Sequence, residues 1–119
     1  MSIKYGNVAP TAALDVNGSI IKGRGTIADN DATPDMSTSE ADIWTYAGSA
    51  NAVTITDIDN PIVGATYTII GNSDTYTVTI NDAGNFNING NWVGGLDDNI
   101  TIYVQADNDY IEIHGRVDN

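Results

Sequence analysis

From residue 43 onward, apolar and polar residues alternate in short bursts separated by turn-forming residues. The pattern is clearest in residues 66–80. There Tyr76, Val78 and Ile80 alternate with Thr75, Thr77 and Thr79, the period of a strand with one buried face. Gly71-Asn72-Ser73-Asp74 interrupts the run with residues that tolerate turn geometry or bond to nearby backbone, so the stretch predicts a β-hairpin. Ile43-Trp44-Thr45-Tyr46 predicts a strand with large apolar groups on both faces. Residues 53–58 predict one with Val53 and Ile55 inward, ended by Asp59-Asn60-Pro61. Asn81-Asp82-Ala83-Gly84-Asn85 reads as a second turn, followed by alternation in residues 86–89 and a short piece at Trp92-Val93. Residues 100–105 place Ile100, Ile102 and Val104 inward. Asp107-Asn108 turns the chain back into residues 110–114, with Ile111 and Ile113 inward. No helical period is visible. About seven short strands at close spacing predict an all-β fold, a compact antiparallel sandwich or barrel.

Residues 1–42 show no sustained period. Leu14-Asp15-Val16, Asn17-Gly18 and Ser19-Ile20-Ile21-Lys22 together predict a small hairpin. Gly23 and Gly25 weaken any strand that continues. Residues 28–40 are polar, contain Pro34 and read as a long loop, which is unusual inside a compact domain. The chain therefore divides into an extended N-terminal arm or attachment segment, 1–42, and a β head domain, 43–119. Within the head, Ile70, Tyr103 and Tyr110 fall on phases opposite the predicted core. Several large apolar groups on such faces predict a second buried surface, which self-association would supply.

Charge sharpens the division. The 119 residues carry a formal net charge of −12, which argues against a nucleic-acid partner, since binding there proceeds by neutralising phosphates. Lys4, Lys22 and Arg24 cluster in the arm, where Asp15 is the lone carboxylate of residues 1–28. With Leu14, Val16 and Ile20, they make the arm a candidate for docking on an acidic partner with apolar grooves. No apolar run reaches the length of a membrane span, and the N-terminus lacks the apolar stretch of an ordinary signal peptide. Neither a membrane partner nor a cofactor is expected. There is no cysteine, which excludes disulfides and cysteine-containing zinc sites.

Chemistry-bearing patterns are sparse. His114 is the single histidine and no Gly-x-Ser-x-Gly motif occurs, so nucleophilic catalysis has no visible machinery. Carboxylates are plentiful but sit mainly in turns, where Asp is expected for backbone reasons. An enzyme is not predicted. Asp29-Asn30-Asp31, residues 57–60, Asp97-Asp98-Asn99 and Asp107-Asn108-Asp109 offer grouped oxygen ligands. None matches a calcium loop with its closing Glu, and no metal site is predicted. Trp44 lies in a strand pattern and reads as core. Trp92, beside Gly94-Gly95, is the better platform for stacking a sugar, with Asp97, Asp98 and Asn99 in the adjoining loop.

Two stretches resemble bacteriophage proteins. Residues 7–20, Asn-Val-Ala-Pro-Thr-Ala-Ala-Leu-Asp-Val-Asn-Gly-Ser-Ile, resemble a segment of phage tail-fibre and appendage proteins that forms a short hairpin in a trimeric shaft. Residues 32–114 resemble a compact β-domain of phage fibres and appendages. The similarity runs in order through residues 32–37, residues 54–60, residues 63–70, residues 98–104 and Tyr110-Ile111-Glu112-Ile113. The resemblance implies a homotrimer located in the virion and contacting capsid or other virion proteins. With no long shaft, repeat or coiled coil, the chain suits a short capsid-surface head fibre or decoration protein. The alternative is the receptor-binding tip of a tail fibre, recognising a host-surface glycan.

Overall fold

The computed structural model describes residues 23–37 and 41–118. They form an all-β unit of two sheets. The strands are β1 (Arg24–Ile27), β2 (Ile43–Tyr46), β3 (Val53–Ile55), β4 (Thr66–Ile70) and β5 (Val78–Ile80). They continue as β6 (Phe86–Asn87), β7 (Trp92–Gly94), β8 (Asn99–Ala106) and β9 (Asp109–Glu112). One sheet has six strands in the order β1-β2-β4-β8-β9-β6, and the other three in the order β3-β5-β7.

The chain reaches this order by winding. β2 lies in the large sheet, β3 in the small one, β4 returns to the large sheet and β5 to the small one. Each return pairs in parallel with the strand one turn earlier: Ile43 beside Thr68 in one sheet, Val53 beside Val78 in the other. β1 adds a further parallel strand, with Arg24 beside Ile43. Residues 32–35 then run along residues 56–59, through Thr56 N–H to the Ala32 carbonyl (2.9 Å) and Asp59 N–H to the Pro34 carbonyl (2.9 Å). Parallel neighbours need a crossover, and here the opposite sheet serves where a helix usually does. Beyond β4 the pairing is mostly antiparallel: β8 pairs with β4 and β9, and β7 with β5, while β6 lies parallel to β9 at the edge.

The expected antiparallel sandwich is therefore a mixed one, with β1–β2, β2–β4, β3–β5 and β6–β9 parallel. The predicted hairpin in residues 66–80 is a sheet-to-sheet corner, because β4 and β5 belong to different sheets. Gly71 makes that corner. Its N–H donates to the Asp98 carbonyl (2.9 Å), its carbonyl accepts from Asp97 N–H (3.0 Å), and a Cβ would strike the Gly95 and Gly94 carbonyl oxygens. The hairpin expected at Asp107-Asn108 is present as β8–β9, with Asn108 at φ 64.

The boundary expected after residue 42 falls inside the folded unit. β1 is part of the large sheet, and Ile27, Met36 and Ala41 are core residues. Gly25 read as a strand-breaker, yet it is required within β1: a Cβ there would strike the Trp44 ring. The polar loop after β1 is held by two carboxylates. Asp29 Oδ1 accepts the N–H groups of Ser49 (3.0 Å), Ala50 (3.3 Å) and Asn51 (3.2 Å), and Oδ2 accepts Asn51 Nδ2 (2.6 Å). Asp35 accepts Ser37 N–H and hydroxyl and, through Oδ2, Asn60 Nδ2 (2.8 Å).

The core lies between the sheets. Trp44, Tyr46, Tyr67, Ile69, Ile100 and Ile102 enter from the large sheet, and Val53, Ile55, Val78, Ile80 and Trp92 from the small one.

Candidate assembly surface

The inward phase of each strand fixes what the outward phase displays. On the large sheet, the outward side chains form rows across the strands. Ile43, Thr68 and Thr101 make one row. Ile113 extends it, its N–H bonded to the Thr101 carbonyl (3.0 Å). Thr26, Thr45, Ile70 and Asn99 make a second, which the Asn99–Val117 bridge prolongs. Thr66, Tyr103, Ile111 and Asn87 make the third. Within the face, the Thr68 and Thr101 hydroxyls bond to each other (2.9 Å). Such a cross-strand Thr pair ties the faces of β4 and β8 together.

Charge is almost absent from these rows. Arg24 lies on the β1 edge, and the one outward carboxylate on these strands is Asp109, at the hairpin end, where Gln105 Nε2 donates to it (3.2 Å). Ile70, Tyr103, Ile111 and Ile113 are half-buried by their neighbours, and Ile43 and Val117 are exposed. The small sheet's outer row, Thr54, Thr79 and Val93, is also uncharged but only three strands wide.

Of the residues singled out in the sequence for a subunit interface, Ile70 and Tyr103 both lie on the large face. Tyr110 does not. It is fully buried, and its hydroxyl donates to Asp57 Oδ1 (2.7 Å) and accepts Asn108 N–H (3.3 Å). Burial, aided by the bond to Asp57, pushes the Tyr110 phenol up to about 12. The phase of β9 is thus the reverse of the one expected. Tyr110 and Glu112 point inward, and Ile111 and Ile113 outward. The shift follows a bulge between Val104 and Ala106. Glu112 is accommodated at the end of the sandwich by Arg116, whose Nη2 and Nε reach its two oxygens (2.7 and 3.0 Å). That contact lowers the Glu112 carboxyl and raises the Arg116 guanidinium.

The sugar-stacking site is not formed as expected. Trp92 is fully buried, under Gly94, where a Cβ would strike its ring. Asp98 is buried too and accepts Gly95 N–H (2.9 Å), Asn99 belongs to β8, and Asp97 is exposed at φ 66. These carboxylates shape a loop, with Asp74 Oδ1 accepting Leu96 N–H (2.9 Å) beside them. His114 is exposed just past β9 at φ 65. Among the described residues no group of three or more His, Cys, Asp or Glu is arranged to hold a metal ion. Of the attachment residues, Arg24 is exposed on β1, while Lys4, Leu14, Val16, Ile20 and Lys22 lie outside the described residues.

Comparison with protein-family models, with curated proteins and with solved structures yields no match.

Proposed function

We propose that this chain is a structural module of a bacteriophage particle, a short capsid-surface fibre or decoration protein that acts as a homotrimer. The observation that carries the reading is the outer face of the six-stranded sheet, broad and nearly uncharged on a chain of net charge −12. A solvated face on so acidic a molecule has no reason to be without carboxylates; a face that meets protein does. The ordered resemblance of residues 32–114 to phage fibre and appendage domains supplies the setting. The carboxylates of the loops support it by their use, since Asp29, Asp35, Asp74 and Asp98 all accept backbone N–H groups of nearby loops. In this reading Lys4, Leu14, Val16, Ile20 and Lys22, together with the exposed Arg24 on strand β1, attach the module to the particle. The glycan-binding alternative loses its aromatic platform with Trp92 buried.

The test is association with particles. Labelled full-length protein should bind purified virions at a fixed surface position, and a chain lacking residues 1–22 should bind at least tenfold more weakly, about 1.4 kcal/mol. Absence of the protein from virions, together with no binding of the added full-length chain, would overturn the role.

A further inference from the structure

We infer that the outer face of the six-stranded sheet is the surface through which copies of this chain meet. The inference rests on the structural role proposed above and adds the contact that builds the assembly. Three kinds of occupant are chemically distinct. A basic partner would select carboxylates, and this face carries only Asp109, at its margin. A lipid surface of anionic headgroups would be repelled by a chain of net charge −12. A second copy is constrained in the opposite sense. Two identical acidic molecules repel wherever carboxylates face each other, so they can close only through a patch that lacks them.

The face fits that requirement in composition as well as charge. Its rows pair Ile70 with Thr45 on β2 and Tyr103 with Thr66 on β4, and between them Thr68 pairs with Thr101. Threonine hydroxyls both donate and accept, so a face built on them satisfies a copy of itself without needing a complementary charge. The half-burial of Ile70, Tyr103, Ile111 and Ile113 leaves apolar area on each that a second copy would cover. Arg24 and Asp109 stand at the two margins of the face, where a rim remains wet. The competing surfaces are the outer row of the small sheet, Thr54, Thr79 and Val93, and the exposed loop residues Ile62, Val63 and Leu96, none of which forms a row across several strands as broad as this face.

Sedimentation of the full chain across a concentration series tests this. The native chain should sediment as an oligomer. Ile70→Asp and Tyr103→Asp should shift it to the monomer mass while far-UV circular dichroism retains the β signal, and Val93→Asp should leave the oligomer intact. Should either face variant fail to fold, Thr68→Cys gives a second reading, because the native chain has no cysteine. Alkylation of that thiol should slow as protein concentration rises, and that of Val93→Cys should not. A native chain that is monomeric throughout, folded face variants that keep the oligomer, concentration-independent alkylation of Thr68→Cys, or dissociation by Val93→Asp would each overturn the inference. Virion binding is measured separately, so a displaced interface would leave the particle role standing, and the reverse also holds.

Discussion

At the scale of single residues, Tyr110 shows how a side chain reassigns the face of a whole strand. From alternation alone, Ile111 and Ile113 have the stronger claim to the core. The ring of Tyr110 takes the inward phase because it packs on Phe86, with ring centroids 5.1 Å apart, while its hydroxyl still finds Asp57 at the edge of the core. This has a pH signature. The unfolded chain releases the phenol proton near pH 10, whereas the folded chain holds it to about 12. The folded state therefore binds more protons in that window, and stability should fall as pH rises from 10 to 12. Tyr110→Phe should flatten that alkaline decline relative to the native chain, and at neutral pH it should lower stability by about 1.5–3 kcal/mol through the lost bond to Asp57. Denaturant titrations at stepped pH measure both effects.

At the scale of elements, most strands were legible and their partners were not. Residues 53–55 and 100–105 carry period-two patterns, and residues 43–46 and 66–70 also read as strands; the structure realises them as β3, most of β8, β2 and β4. Alternation reports that a strand has one buried face, but it does not say which neighbour lies beside it. The corner at Gly71 illustrates the gap, since Gly-Asn-Ser-Asp is good hairpin chemistry and equally good corner chemistry. What decides is contact with residues 94–98, far along the chain. The same holds for β1, where Gly25 is read as a breaker until the Trp44 ring is placed over it. The outward phase of Ile70 and Tyr103 was legible because each lies next to inward residues, Ile69 beside Ile70 and Ile102 and Val104 beside Tyr103. Trp92 was not, because a lone Trp beside two glycines fits an exposed loop and a buried ring packed under Gly94 equally well. The corner makes a comparison of glycines informative. Gly71→Ala must push backbone oxygens aside and should cost about 3 kcal/mol or more. Gly84→Ala meets open space at φ 62 and should cost only the left-handed strain, about 1–2 kcal/mol. Urea midpoints of the two variants give the order directly.

At the scale of the whole molecule, the folded unit begins well before residue 43. Ile27 and Met36 are each 1% exposed, and at about 1.5–3 kcal/mol apiece they contribute roughly 3–6 kcal/mol of burial. That is comparable with the entire net stability of a small domain, roughly 5–15 kcal/mol. A fragment starting at residue 43 should thus lose its cooperative thermal transition, while one starting at residue 23 should keep it, as judged by circular dichroism melts. The loss is more than area. Asp29, whose carboxyl the Asn51 side chain and the Ser49–Asn51 amides hold down to about 2, would be missing from the β2–β3 connection. Its restraint on that loop is present above the ordinary carboxyl range and fades as pH falls through 4 toward about 2.

The parallel winding of β1, β2 and β4 also gives the molecule a direction of growth. On one side the sheet runs through the antiparallel pairs β4–β8 and β8–β9 to its edge strand β6, which lies parallel to β9. On the other side β1 is a terminal strand whose one described neighbour is β2. A duplicated turn inserted between Ile27 and Ile43 would meet a strand of matching direction above and below, and would leave the antiparallel pairs β4–β8 and β8–β9 untouched. The same sandwich could therefore be lengthened turn by turn through gene duplication, as a ruler is lengthened by repeating its divisions.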